Sequence, residues 1–319
     1  TYTCLMFLDK AGAKECRFTK VDDLAAWRID GQSTTGDIPA EKIGATEWNF
    51  AVGAGSEMLA ALSSWPTKLG DIADLFVGLQ TDADDVYILE EVRRRDERVL
   101  CLSKHTGREH WFESSHLKPF LKGSLNIRRY YFSDVTKLLV FPYEIQRGKS
   151  VLIPEGEYAE RFPLTWAYLA ECKKRLSERN KGRMGADWYG YVYKKNHVRM
   201  SIPKLLVPSL ATGGCFAPDL EGRYHFVGSG GGGGGGYGVA LHDGAKIDYF
   251  CLLGILNSSL LSHFLRSIST PFRGGYIALN RQYIEQLPIA VPSDDVAAVL
   301  HRLVKELLKL YQQIMTVKS

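Results

Sequence analysis

Apolar positions recur at three- and four-residue intervals in three parts of the chain, which is the period of a helix with one buried face. The three segments are residues 158–180, 248–268 and 294–316, with Pro163 near the start of the first predicting a break or a terminal turn there. We expect the second and third helices to pack together against a sheet. A shorter helix is predicted within residues 110–121.

Short apolar runs bounded by turn residues predict strands between these helices. Residues 1–8 and 15–21 have the pattern of a hairpin. Further strands are predicted over 72–77, 86–89, 137–143, 198–209, 224–227 and 237–241. The pattern therefore predicts an α+β fold with mixed, mostly antiparallel sheets, a long central helix and two C-terminal helices. Residues 31–65, polar with Gly and Pro, are predicted to form a linker.

Composition narrows the class of protein. Hydrophobic residues make up 45% of the chain, charged residues 24%, and the mean hydropathy is −0.15. These proportions are typical of a globular protein rather than a disordered one. An apolar run of the roughly 18 residues needed to span a membrane is missing, and so is the basic start of a signal peptide. We expect a cytoplasmic protein that does not enter a membrane.

Positive charge is concentrated in the middle of the chain. The net charge is only +4, yet residues 118–204 hold 18 Lys and Arg against 8 Asp and Glu. Aromatic residues are interleaved with this basic block, as in 128–131 and 188–195. Such a mixture suits phosphate neutralisation and stacking against bases. Solvated surface charge explains the same pattern, and both interpretations stay open.

Motifs for catalysis are missing. The seven glycines Gly230–Gly236 precede a predicted strand, whereas a nucleotide or S-adenosylmethionine loop leads into a helix. The tract is either a flexible hairpin tip or a loop whose bare backbone approaches DNA. The six cysteines lack metal-ligand spacing and are expected to be reduced thiols. Adenine-N6 methyl transfer needs a Pro-Pro loop that holds a flipped base, and the 12 prolines include no adjacent pair. We therefore expect neither catalytic residues nor a metal.

Several segments together resemble the specificity part of TaqI-like adenine-N6 DNA methyltransferases, including the fused restriction-modification enzymes. The resemblance rests on 68–87 (KLGDIADLFVGLQTDADDVY), 117–123 (LKPFLKG) with 127–130 (IRRY), 272–276 (FRGGY) and 283–289 (YIEQLPI). Residues 1–8 (TYTCLMFL) are similar to the closing strand of the catalytic domain of such an enzyme. The resemblance covers nearly the whole chain.

This resemblance implies a division of the chain and a set of partners. Residues 1–30 would be terminal strands of a methyltransferase domain lying before Thr1, 66–247 a DNA target-recognition domain, and 248–319 its C-terminal helical part. The fragment itself would be non-catalytic and bind no cofactor. The parent would use S-adenosylmethionine, with Mg²⁺ if it also cleaves DNA. The implied partners are double-stranded DNA and the N-terminal methyltransferase domain.

The resemblance also implies which side chains meet DNA. Phosphate contacts set the position on DNA, and contacts to base edges select the sequence. The expected phosphate contacts are Arg128, Arg129, Lys194, Lys195 and Arg199. The residues expected either to contact bases or to steer a flipped adenine into the catalytic pocket of the parent enzyme are Gln80, Thr81, Tyr130, Arg273 and Tyr276. Local roles compete with these, since Thr81 with Asp82 can close a turn and Arg273 can pair with Glu285.

A protein-interaction or oligomerisation module is the alternative function. The Leu-rich helix predicted from residue 248 and the heptad-like terminal helix could dock a subunit, in which case the basic block would be incidental.

Overall fold

The computed structural model describes residues 4–43, 52–53, 55–228 and 234–318, apart from the side chains of residues 42 and 315–318. The chain divides into two compact units, Thr1–Pro66 and Thr67–Ser319. The first unit contains the segment predicted as a linker. All ten candidate site residues lie in the second unit.

A small antiparallel sheet and two helices form the regular structure of the first unit. Its elements are strands β1 (Glu15–Lys20) and β2 (Thr34–Pro39), helices α1 (Leu24–Asp30) and α2 (Ser56–Ser63), and a 3₁₀ turn over Ala40–Lys42.

The strand pairing of the first unit differs from the predicted hairpin. Residues 4–8 are not in a strand, and β1 pairs instead with β2 from the predicted linker. The side chains of 34–39 are mostly polar, so this strand has no apolar pattern in the sequence. A two-stranded sheet can form through its backbone hydrogen bonds without an apolar face. Pro39 occupies the last position of β2, at the end of the ladder.

Strands of the second unit form two main sheets. Its strands are β3 (Ala73–Val77), β4 (Ile88–Arg95), β5 (Arg98–Ser103), β6 (Glu109–Glu113), β7 (Leu117–Leu121), β8 (Lys137–Val140), β9 (Tyr143–Gln146), β10 (Lys149–Leu152), β11 (Lys204–Pro208), β12 (Leu210–Ala211), β13 (Ala217–Asp219), β14 (His225–Phe226), β15 (Gly236–Leu241) and β16 (Ile277–Ala278). The strand orders are β13-β11-β15-β3 and β14-β7-β8-β4-β5-β6, with separate β9-β10 and β12-β16 pairs. Every strand pair is antiparallel except β14 with β7.

Helices surround these sheets and complete the predicted α+β fold, which is confirmed. They are α3 (Leu69–Ile72), α4 (Asp84–Tyr87), α5 (Gly123–Asn126), α6 (Glu155–Arg161), α7 (Pro163–Glu171), α8 (Lys173–Ser177), α9 (Arg179–Gly182), α10 (Tyr249–Leu256), α11 (Ser259–Ile268), α12 (Arg281–Ile284) and α13 (Asp294–Lys318), with 3₁₀ turns at Gly185–Asp187, Val198–Ser201 and Arg273–Gly275.

The predicted helix within 110–121 is wrong, because this segment forms most of β6 and all of β7. Phe112 and Phe120 are fully buried in the core. Each of the two strands is five residues long, and an apolar run that short fits a helix or a strand equally well. Pairing with β5 and β8 decides the outcome.

The long central helix predicted over 158–180 is interrupted. It comprises the end of α6, then α7 and α8, and the start of α9. Pro163 begins α7, as the sequence predicts for a break at a residue without a backbone N–H. The last interruption is a pair of left-handed residues, Asn180 (φ 49°) and Lys181 (φ 56°).

The helix predicted over 248–268 is a bent pair, α10 and α11, with an angle of 61° between them. Asn257 ends α10, and its side-chain amide exchanges two 2.9 Å hydrogen bonds with the backbone N–H and C=O of Phe216. Ser258 then caps α11 by accepting from the N–H of Leu261 at 3.2 Å. A tertiary contact therefore ends one helix and a local cap starts the next.

The predicted terminal helix is confirmed as α13, and it packs on α10. Gly254 of α10 lies so close to α13 that a Cβ there would come within 3.0 Å of Val304 and Leu300. On its other side α10 contacts β11 and β13 of the four-stranded sheet. Among the described residues, no single helix is long and apolar enough to cross a membrane, although the bent α10–α11 pair meets the length and composition criteria.

Three histidines of the second unit are buried, and burial lowers the pKa of each. Burial lowers the pKa of His116 and of His225 to about 3, and the pKa of His197 to about 4. Two of their ring nitrogens, Nε2 of His197 and Nδ1 of His225, have no hydrogen-bond partner among the described atoms. A neutral imidazole is therefore strongly favoured in the folded state.

Stability should fall as the pH drops from about 6.5 toward 4, because the unfolded chain then binds protons that the folded chain excludes. Each buried histidine should cost about 2 kcal/mol at pH 5 relative to pH 7.5. Urea unfolding at the two pH values measures the difference. H225F should reduce it, whereas the exposed-site control H263Q should leave it unchanged. Equal pH dependence in both variants would contradict the assignment.

Candidate nucleic-acid interface

Four loops meet at one end of the four-stranded sheet. Antiparallel pairing sets Val77 of β3 opposite Tyr237 of β15, and Pro208 of β11 opposite Gly236. The loop after β3 starts at Gly78, whose N–H donates to the carbonyl of Gly236 at 3.4 Å. The same end of the sheet thus holds the loop after β3, the end of the glycine tract and the chain leaving β11.

The fourth loop, residues 271–276, is tied to the same end. Ser209, which follows β11, donates its N–H to Gly235 at 2.9 Å and accepts from the N–H of Leu279 at 2.9 Å. Strand β16 before Leu279 pairs with β12. Arg273 and Tyr276 lie in this loop and are exposed. The local alternative for Arg273 is not found, because Glu285 pairs with Arg281 at 3.0 Å.

The predicted base contacts Gln80 and Thr81 have different surroundings. Gln80 is exposed and forms a bridge with Tyr193. Thr81 is 1% exposed; its hydroxyl donates to the carboxylate of Asp84 and accepts from the N–H of Ala83 at 3.1 Å. These contacts give Thr81 the local turn-closing role and leave Gln80 as the member of the pair that faces solvent.

Three predicted phosphate contacts follow Tyr193 along the edge of β3. Lys194 and Lys195 are exposed, and Lys194 forms a 3.0 Å ion pair with Asp187 that is itself half-exposed. Such a surface pair contributes little and can open for another anion. Asn196, with φ 61°, donates its side-chain amide to the carbonyl of Val77 at 2.9 Å and so fixes this segment beside β3.

Arg199 is held more firmly. Its guanidinium lies 5.2 Å from the ring centre of Phe76 and 2.8 Å from a carboxylate oxygen of Asp74. Partial burial raises the pKa of Asp74, but hydrogen bonds from His242 and Arg199 outweigh it and lower that pKa overall. The charge of Arg199 is therefore already compensated within the fold.

Arg128 and Arg129 are held by a different set of elements. The guanidinium of Arg128 donates to the carbonyls that end α5, including Leu125 at 2.9 Å and Ile127 at 3.2 Å. The guanidinium of Arg129 donates to the carbonyl of Asn257. Both heads thus have backbone partners, the arrangement expected of cations that stabilise helix ends.

Tyr130, the remaining candidate, is 8% exposed and has a left-handed backbone with φ 76°. Its ring stacks on Tyr311 of α13 with 5.7 Å between the ring centres. It lines a cleft of about 700 Å³, whose aromatic walls are formed by Tyr130, Tyr131, Phe132, Tyr224, Phe250 and Tyr311. The structure thus places Tyr130 against α13 and not with the loops around Gln80.

Most aromatic residues in the 188–195 run belong to the core, so these rings are not available to stack against bases. Trp188, Tyr189 and Tyr191 are each less than 5% exposed. Tyr191 donates its hydroxyl to the carbonyl of Val140 at 2.6 Å. Tyr193 is the aromatic of the run that reaches the surface, with 51% of it exposed.

A buried arginine that was not among the predicted site residues positions the Gln80 loop. Arg179 is 3% exposed. It stands in a run of basic residues, and nothing in the sequence distinguishes it from the other members of that run. Its guanidinium and Nε–H donate to four carbonyls and one hydroxyl at 2.7–3.1 Å, those of Leu176, Thr81, Trp188, Gly190 and Tyr87. It thus joins the Thr81 turn to the segment leading to Lys194.

Glycine is required where the loops pack. A Cβ on Gly78 would collide with the backbone of Val227 and Phe226, and a Cβ on Gly228 would lie 2.7 Å from Val77. The tract predicted to be either a hairpin tip or a DNA-facing loop lies partly outside the described residues, which resume at Gly234. It leads into strand β15, as predicted, so the strand–loop–helix geometry of an S-adenosylmethionine site is missing here.

Within the described ranges, no group of three or more His, Cys, Asp and Glu residues could hold a metal ion. The six cysteines are free thiols. Burial raises the pKa of Cys101 to about 12 and those of Cys172 and Cys215 to about 11, so these thiols are protonated at neutral pH.

Two curated proteins are similar to this chain. It is 22% identical over 303 residues, 91% of its length, to the type II restriction enzyme and methyltransferase RM.Eco57I of Escherichia coli. It is 24% identical over 185 residues, 56% of its length, to the type II methyltransferase M.PaeR7I of Pseudomonas aeruginosa. The matches cover 30% and 29% of those proteins. No protein-family model matches the chain. The chain is thus related in sequence to enzymes of type II restriction-modification systems.

Replacing Arg179 should destabilise the second unit, because R179M leaves several buried acceptors without a donor. We expect a loss of at least about 3 kcal/mol in the free energy of unfolding, measured by urea denaturation. The matched control is R183M, the same change four residues later at an exposed position, with an expected effect within about 0.5 kcal/mol. Similar losses in both variants would contradict the positioning role of Arg179.

Proposed function

We propose that the second unit is the DNA target-recognition part of an adenine-N6 DNA methyltransferase of a restriction-modification system. The observation that carries the proposal is the meeting of exposed Gln80, Lys194 and Lys195 at one end of the four-stranded sheet. A polar side chain that can reach a base edge is there next to cations that can reach phosphates. The similarity to type II restriction-modification enzymes supports this choice over other polyanions.

In this proposal the loop 271–276 extends the recognition surface. Arg273 can donate to guanine, and Tyr276, 43% exposed, can contact a base or sugar. Arg128, Arg129 and Arg199, whose heads are engaged in the fold, serve mainly to hold the loops in place. The proposed partner is double-stranded DNA in the cytoplasm.

Catalysis is assigned to other parts of a longer enzyme. The glycine tract enters a strand and not the helix of an S-adenosylmethionine loop, so we derive no methyl-transfer step here. The first unit exposes a group of large apolar side chains, Leu5, Met6, Phe7, Leu8 and Ile29, each more than 50% accessible. Four of these residues, Leu5–Leu8, are consecutive, and exposed apolar side chains close together are typical of interaction sites. We propose the methyltransferase domain as its partner.

The chain should bind duplex DNA with an affinity that falls steeply as salt rises, because bound phosphates release counterions. The variant K194Q/K195Q should lower the slope of log affinity against log salt by about 1.8, or about 0.9 for each lost phosphate contact. Fluorescence anisotropy with a 30-base-pair mixed-sequence duplex between 50 and 200 mM salt measures both slopes.

The charge-matched control is K246Q/K309Q, two exposed lysines outside the candidate interface. Its slope should equal that of the unchanged protein. Undetectable binding at 50 mM salt would contradict the proposed function, and equal slopes for the two double variants would remove Lys194 and Lys195 from the interface.

A protein-interaction module is the second candidate function, favoured by one surface of α13. Five apolar residues at helical spacing are 47–56% exposed on this helix: Val296, Val299, Leu303, Leu310 and Ile314. An apolar stripe open to solvent over this length is typical of helices that pair.

The mass of the chain in solution separates the two functions. If α13 serves self-association, light scattering should give a dimer mass, and L303E/L310E should restore the monomer mass by placing charge in the paired surface. The exposed-face control is Q313E. A monomer for the unchanged protein at about 50 µM, together with DNA binding, would favour target recognition over this function.

A further inference from the structure

A second cleft, of about 610 Å³, adjoins the Gln80 loop. It lies between the residues just after the Thr81 turn, the β5–β6 turn and the end of the glycine tract. Its charged residues are Asp84, Asp85, Glu90, Lys104, Lys122 and Lys137. The cleft therefore contains three carboxylates and three ammonium groups.

Each carboxylate in the cleft already has a donor. Asp84 accepts from the hydroxyl of Thr81. Asp85 lies 3.2 Å from both Arg175 and His105. The carboxylates are thus engaged by groups on their own loops or on neighbouring elements.

Glu90 forms an ion pair with one of the three lysines. It pairs with Lys137 and accepts from the hydroxyl of Thr136 at 2.7 Å. Lys104 and Lys122 differ from Lys137, since neither has an ion pair or side-chain hydrogen bond among the described residues. Both are exposed. Two exposed lysines without an ion pair at one cleft are available to bind an anion from outside the protein.

Lys122 is held at the mouth of the cleft by its backbone and its stem. Its N–H donates to the side-chain carbonyl of Asn126 at 2.7 Å. Its stem passes Gly234, where a Cβ would lie 3.0 Å from Cε of the lysine. Because Gly234 is buried and has no side chain, the stem of Lys122 can pack directly against its backbone.

The cleft and the Lys194 segment lie on opposite sides of the same short stretch of chain. On one side Leu79 bridges Val227, which lines the cleft. On the other side Gln80 bridges Tyr193, directly before Lys194. The exposed Gln80 is therefore flanked by exposed lysines in both directions.

We propose that Lys122, assisted by Lys104, binds a phosphate of the DNA backbone on the far side of Gln80 from Lys194 and Lys195. The inference rests on the proposed function and deepens it, because phosphate contacts on both sides would fix Gln80 in register with the bases. Lys122 has no distinctive sequence signal, because it is an isolated cation outside the dense part of the basic block. It does stand in the Leu117–Gly123 run that carried the family resemblance.

The test is the salt dependence of K122Q with the full 319-residue chain and a mixed-sequence 30-base-pair duplex. The slope of log affinity against log salt should fall by about 0.9, and K122R should keep the original slope. K246Q, at an exposed lysine beyond the opposite end of β15, is the matched control and should not change the slope. When K122Q is combined with K194Q/K195Q, the decreases in slope should add to about 2.7 if the two sides act as separate contacts.

The possible failures are distinguishable. Normal DNA binding by the unchanged chain with an unaltered K122Q slope would overturn the role of Lys122 and leave the proposed function standing. Absence of DNA binding by the unchanged chain would overturn both. Inorganic phosphate then decides what the cleft holds: a rise in melting temperature that K122Q loses would assign it to a free anion instead of DNA. Urea unfolding of K122Q checks that the variant folds normally.

Discussion

A single buried guanidinium, that of Arg179, determines where the candidate interface lies. It stands among neutral partners, four carbonyls and the hydroxyl of Tyr87, and so differs from buried Lys204, whose ammonium meets the carboxylate of Asp219 at 2.5 Å. An arginine paired this way is stable only if its acceptors converge from fixed directions, because its donors form a rigid fork. The segments that bring those acceptors are the ones that lead to Gln80 and to Lys194. Fixing the buried charge therefore also fixes the surface residues.

Close packing of bare backbone supports the same arrangement. The stretch Gly78–Gln80 runs between the 226–228 segment on one side and Tyr193 on the other. Gly78 and Gly228 allow the first approach, which any side chain would prevent. The exposed Gln80 is thus carried by a three-segment ladder and not by a free loop. A rigid support of this kind is what a base-reading side chain needs, because small displacements remove its hydrogen bonds.

The sequence predicted those elements whose formation depends on a long or regular pattern. The α+β class, strand β15 and helix α13 follow from periodicity over many residues. It could not predict where helices break, because Asn257 ends α10 through a contact with Phe216, 41 residues away in the chain. The same limit applies to the site. Gln80 and Thr81 are adjacent polar residues, and only the fold decides that one faces solvent while the other is buried.

Charge composition is the weakest guide to this surface. Residues 118–204 contain 18 basic side chains, but several are committed to the fold: Arg128 and Arg129 to helix-end carbonyls, Arg179 to the core, and Lys204 to a buried ion pair. A cation with buried or bidentate partners must give up those partners before it can bind a DNA phosphate. This loss offsets the free energy gained when counterions are released from the DNA. Under the proposed function, the electrostatic contribution to DNA binding should therefore scale with the exposed lysines around Gln80 and not with the length of the basic block. That implies a salt dependence of about three phosphates from this surface, far less than the sequence count suggests.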